Sequence, residues 1–127
     1  MLRSWPRLLA CAFALAGCTQ AISPPADTGI DGLVTLGPLC PVVTAEKPCP
    51  DRPYAAPIRI ETSGGDLVTT LESDEAGRFS VPLHAGVYRL VPLSPTPGTL
   101  PYAAEQVVTV EAGRYTQVHI SYDTGIR

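Results

Sequence analysis

The chain is poor in the residues that do chemistry. Its only tryptophan and only methionine are Trp5 and Met1, its only lysine is Lys47, and it has two histidines, His84 and His119. Neither histidine has a serine or cysteine nucleophile beside it, and no G-x-S-x-G occurs. The acyl-transfer triads therefore have no sequence signature here. No C-x-x-C occurs either, so the usual zinc and dithiol-redox spacings are missing. No apolar run approaches the ~20 residues that a membrane-spanning helix requires. Lys and Arg are nowhere clustered and acids outnumber them, which argues against a nucleic-acid partner. No window shows apolar positions at helical spacing, and fourteen prolines would break most helices.

What the chain does contain begins with an export signal. "MLRSWPR" carries Arg3 and Arg7 and no acid, and a short apolar run, "LLACAFALAG", leads to Cys18. Leu15-Ala16-Gly17-Cys18 resembles a bacterial lipobox. The resemblance implies cleavage after residue 17, acyl chains on the Cys18 thiol, and membrane attachment through that lipid. The alternative is an ordinary secretory signal cut near Ala21. Thr19 rather than Asp follows the cysteine, which in a two-membrane bacterium favours the outer membrane. The expected place is thus a cell membrane or outer membrane, with the domain on the extracytoplasmic side.

Processing sorts the four cysteines. Cys11 leaves with the signal and Cys18 takes lipid, so Cys40 and Cys49 remain as a pair in an oxidising compartment. That favours a disulfide. The mature chain from residue 18 has a formal charge of −5 and suits one small domain. "TQAISPPADTGID" carries Pro24-Pro25 and little apolar content, so Cys18 and a flexible tether are expected over 18–31. The domain is expected over 32–127.

Within 32–127 the pattern is β. Short alternating runs punctuated by Gly, Pro, Asp and Ser predict strands near 32–36, 58–62, 67–71, 78–83, 87–92, 106–110 and 116–122. Alternation puts Phe79, Val81 and Leu83 on one inner face, and likewise Tyr88 with Leu90, Val108 with Val110, and Val118 with Ile120 and Tyr122. Pro82 faces out, which suits an edge strand. In "SDEAGRF" Asp74 is placed to cap a tight turn whose Gly77 needs a positive φ. "LHAGVY" reads as a short hairpin with Gly86 in the same role, and "EAGRY" as a further glycine turn.

The order of these motifs resembles the carboxypeptidase regulatory-like domain, a transthyretin-like (prealbumin-like) seven-stranded Greek-key β-sandwich. The residues that carry it are Gly32-x-Val34, Ala56-Pro57, Asp74-x-x-Gly77-x-Phe79-x-Val81 and Ala85-Gly86-x-Tyr88-x-Leu90, with the closing "QVVTVEAGRYTQVHI". The match runs over about residues 32–122. It implies a non-catalytic accessory, structural or binding module without a cofactor. About twenty residues near 37–57 lengthen the first connection beyond the simple family pattern.

That insert, "GPLCPVVTAEKPCPDRPY", is the candidate binding loop. A bond between Cys40 and Cys49 would stabilise by roughly 2.5–3 kcal/mol in the chain-entropy account, with Pro41, Pro48, Pro50 and Pro53 stiffening the same segment. The candidate contact residues are Val42, Val43, Glu46, Lys47, Asp51, Arg52 and Tyr54. Pro48 after Lys47 makes a poor scissile bond, against a protease-docking loop. D-T-G occurs at 27–29 and at 123–125. It is the aspartic-protease triplet, but the tether and the extreme C-terminus are poor places for a paired-carboxylate site, and turn signals fit better. Tyr54, Tyr102, Tyr115 and Tyr122 are an aromatic set for packing or for sugar or peptide contact. Loss of Trp5 with the signal weakens the sugar reading.

The expectation is a non-catalytic, lipid-anchored envelope sandwich that binds a protein partner through the braced loop or an exposed edge strand, with no metal and no small-molecule substrate identified. A purely structural envelope protein without a dedicated ligand is the second reading. A metal- or sugar-binding module or hydrolase accessory domain is the third.

Overall fold

A computed structural model describes residues 23–127. The signal, Cys11, the lipobox and Cys18 lie outside the described residues. Eight strands follow in order: β1 (Gly29–Gly37), β2 (Arg52–Pro53), β3 (Pro57–Thr62), β4 (Leu67–Glu72), β5 (Arg78–Pro82), β6 (Gly86–Pro92), β7 (Gln106–Val110) and β8 (Tyr115–Asp123). All seven expected strands are present. The eighth, β2, is a two-residue pairing that the sequence pattern did not reveal.

The strands form two four-stranded sheets. In the first, β8 pairs in parallel along the whole of β1, while β2 and β5 share the other side of β1 as antiparallel partners. In the second the order is β4-β3-β6-β7, all antiparallel. The chain thus crosses between sheets after β2, β4, β5 and β7.

Period-two alternation aims one side of every long strand at the other sheet. Ile30, Val34, Ile120 and Tyr122 from the first sheet meet Ile58, Ile60 and Leu90 from the second, all fully buried in one core. Each such side chain contributes about 1.5–3 kcal/mol by leaving water.

Two glycines explain how the first sheet closes. Gly32 pairs with Phe79, and a Cβ on Gly32 would overlap the Phe79 ring. The aromatic ring of β5 therefore lies across the bare backbone of β1. Gly77, at φ 73°, brings the turn before β5 so close to β1 that a Cβ would overlap the Val34 carbonyl. Asp74 Oδ1 accepts from Arg78 N at 2.8 Å in the same turn.

Three expectations need correction. The tether does not extend to residue 31. Thr28 is buried, β1 begins at Gly29, and Ile30 is fully buried. Parallel pairing with β8 from Gly29↔Tyr115 onward recruits this segment, which pattern alone had left loose because Pro and Asp precede it. Gly86 is not a positive-φ turn residue. It opens β6 opposite Val110, because β5 and β6 lie in different sheets and "LHAGVY" is a crossover, not a hairpin. Finally, Arg52 and Tyr54 do not belong to a free loop: Arg52 lies in β2, and Tyr54 N donates to Val34 O at 3.1 Å.

Candidate functional site

The two ends of the sandwich are built differently. At the near end, where the described chain begins, β1 starts and short connections at 63–66, 83–85 and 111–114 join strands. They are tightly bonded. Thr28 Oγ1 accepts from Gly113 N at 2.9 Å, Leu83 N donates to Thr28 O at 3.0 Å, and Tyr115 Oη donates to Ala26 O at 3.0 Å. Nine-residue β1 separates this end from the far end by about 30 Å at ~3.3 Å per residue.

The far end carries the cysteine loop, the long connection from β6 to β7, and the C-terminal tail. Cys40 and Cys49 form a disulfide with Cα atoms 6.1 Å apart. Between them the chain turns at Thr44 and Lys47, which bond through Lys47 N to Thr44 O at 3.2 Å and to Thr44 Oγ1 at 3.1 Å. Val42 is 71% exposed, and Val43, Glu46, Lys47 and Asp51 are also exposed. A β-branched pair held in water by a covalent brace is the opposite of what burial would select.

The root of the loop is fixed by the tail. Thr124 N donates to Gly37 O at 3.0 Å and Thr124 Oγ1 to Pro38 O at 2.5 Å. Asp123 and Tyr102 exchange backbone bonds at 2.7 and 3.0 Å. Asp123 also accepts from Gly125 N and forms an ion pair with Arg127 at 2.9 Å. The Arg127 guanidinium and then the Gly125 N–H hold the Asp123 carboxyl below its ordinary range. The tail thus joins the loop root to the connection carrying Leu100 and Tyr102. Both are exposed, as is Ile126. An open groove of about 380 Å³ lies along that connection, lined by Leu93, Ser94, Pro97, Tyr102 and Glu105 among others.

The tyrosines divide by role. Tyr122 is fully buried, donates to Leu93 O at 2.8 Å and meets the Tyr54 ring edge to face at 5.1 Å. Burial, then the neighbouring Tyr54 phenol, pushes Tyr122 up to about 12. Tyr54 therefore packs under the loop instead of offering a contact surface, a correction to its expected role. Tyr115 belongs to the near end, and only Tyr102 is exposed where a partner could reach it beside the loop. No aromatic patch forms from the four.

The remaining candidate chemistries also separate in space. Asp27 precedes β1 at the near end and Asp123 pairs with Gly37 at the far end, so the two D-T-G triplets cannot share a proton between carboxylates. His119 Nε2 lies 2.9 Å from Thr35 Oγ1 on the outer face of the first sheet, and His84 offers its carbonyl to Tyr88 Oη at 2.7 Å. Among the described residues no group of three or more His, Cys, Asp or Glu is placed to hold a metal, and no helix is long and apolar enough to cross a membrane.

The sequence pattern does not reveal Leu100, Tyr102 and Ile126 as companions of the loop, because more than fifty positions separate them from Cys49. The proline-rich "LSPTPGTLPY" marks a loop, but only the β6–β7 pairing places it at this end.

No family model matches the chain, and no curated protein matches it. Among solved structures it is similar to GBS52, the minor pilin of the Gram-positive pathogen Streptococcus agalactiae, with a TM-score of 0.56 and 22% identity. The likeness covers 77% of this chain and 45% of the pilin chain, so this chain spans less than half the pilin's length. At that identity it shows a shared β-sandwich fold.

Proposed function

We propose that this chain is a non-catalytic, lipid-anchored cell-envelope module of the carboxypeptidase regulatory-like kind, held by acyl groups on Cys18 and binding a protein partner through residues 41–48. The observation that carries the reading is the polarity of the sandwich. The chain enters at the near end, and the disulfide-braced loop presents Val42 and Val43 at the far end. A membrane tether would leave that end pointing outward. The fold shared with a minor pilin agrees with a role at a cell surface.

Replacing residues 41–48 by a Gly/Ser segment of equal length is expected to abolish capture of a partner crosslinked in membranes while leaving thermal stability nearly unchanged. Undiminished capture removes the loop from the proposal. A wild-type chain that captures no stoichiometric partner leaves the purely structural role. Labelled palmitate is expected to enter the wild type and not Cys18→Ala, and equal labelling rejects the anchor.

A further inference from the structure

We propose that the Cys40–Cys49 loop is a substrate-like inhibitor of a serine peptidase with a narrow aliphatic specificity pocket, and that Val42 is the side chain this pocket takes. The inference rests on the reading of residues 41–48 as a binding loop and names the class of its partner. Val42 is 71% and Val43 58% exposed. Among the described residues neither has a hydrogen-bond partner for its backbone N–H or C=O. Apolar side chains and main chain are thus both offered to a partner at the same two positions.

The shape of the loop is set from both sides. The chain bends at Cys40 and Pro41, and again over residues 45–47 where Lys47 N donates to Thr44 O and Oγ1. Val42 and Val43 therefore sit on the crest of a loop whose ends the disulfide joins. That crest is too short to add a lasting strand to another sheet. A peptidase cleft needs no more, because it pairs with alternate residues just before the bond it attacks. With Val42 before that bond, Val42 and Cys40 turn their N–H and C=O groups to the cleft. Pro41 falls between them, where its missing N–H costs nothing. With Val43 before the bond, Pro41 would have to donate, and it cannot. The register thus selects Val42, whose small branched side chain suits a pocket of the elastase kind. Pro48 blocks only the bond after Lys47.

The same features make the loop an inhibitor and a poor substrate. Attack of the peptidase serine on the Val42 carbonyl forms an acyl ester and breaks the bond to Val43 N, which takes the serine's proton by way of the peptidase histidine. The freed Val43 amine does not diffuse away, because the disulfide and the Thr44–Lys47 turn hold its segment. It re-adds to the acyl carbon and returns the proton, faster than water can enter. β-Branching on both sides of the bond also crowds the attack. Bracing before binding lowers the ordering cost of the complex.

The full chain in detergent, assayed against pancreatic elastase with a short chromogenic peptide, tests it. The wild type is expected to inhibit with a constant of about 1 μM or tighter. Val42→Asp is expected to weaken inhibition roughly hundredfold. Val42→Lys is expected to lose elastase and gain trypsin, whose pocket carries an acid, whereas Val43→Lys gains no comparable inhibition of trypsin. Unchanged melting temperatures show that the variants are folded. Mass spectrometry without reductant is expected to find one slow nick, after Val42, with both halves still joined through Cys40 and Cys49. No inhibition by the wild type, inhibition that survives Val42→Asp, an equal gain from Val43→Lys, or rapid cleavage overturns the proposal. Should loop replacement abolish partner capture in membranes while the wild type leaves elastase uninhibited, the peptidase class falls and the binding loop stands.

Discussion

Two connections bring the chain back to the same edge of β1, and they are held in opposite ways. The turn before β5 is held by contact: Val34 N donates to Gly77 O at 2.6 Å, and Gly77 leaves no room for a side chain. The loop before β2 is held by covalent bond and by its ends, with Tyr54 N on Val34 O at 3.1 Å and residues 41–48 exposed. Both meet at the two backbone groups of one residue, Val34. This contrast locates where the fold tolerates change. The tight turn is part of the sheet, whereas the loop needs only its two roots.

The largest effect should come from the tight turn. Gly77→Val meets both an unfavourable φ and an overlap with the Val34 carbonyl, and is expected to cost about 3 kcal/mol or more in urea unfolding. A cost near that of an exposed loop substitution would break the comparison. Next, Cys40→Ser with Cys49→Ser is expected to lose about 2.5–3 kcal/mol. It should also raise hydrogen exchange at the Tyr54 amide more than at the Val34 amide, because only Tyr54 depends on the returning loop. Equal loss of protection at both amides would show that the loop and turn are one unit.

The ring beneath the loop gives a pH test. Tyr122 is raised to about 12 from 10.0, so its contribution is complete below pH 10 and is lost as pH rises from 10 to 12, where the unfolded phenol ionises first. Stability should fall there by up to about 1.4 kcal/mol per pH unit from this group, and Tyr122→Phe should flatten that fall in urea titrations. The smallest effect belongs to the tail. Asp123 is lowered from 3.8, chiefly by Arg127, so its contribution is present above pH 3.8 and is lost as pH falls through the lower folded value. Arg127→Ala should move the release of the tail to higher pH, measured by hydrogen exchange at the Gly125 amide.

Much of this molecule was legible in its residues because the informative signals are local. Period-two alternation located seven strands, and Asp74-x-x-Gly77-x-Phe79 marked a turn whose three named residues all make the contacts that close the sheet. Cys40 and Cys49 were left as a pair once processing was considered, and they are bonded. The failures are non-local. Ile30 is ordered by a strand that starts at Tyr115, Gly86 lost its hairpin because the chain changes sheets there, and Tyr54 was claimed by a ring at position 122.

The class of fold, the inner faces and the pairing of two cysteines follow from the residue pattern, because alternation, turn chemistry and redox compartment act within a few residues or through composition. Which loops share an end, and that the tail locks the root of the cysteine loop, emerge once the chain is folded. Strand order and register are set by burying two sheets against each other, and no window of sequence contains both sides of that contact.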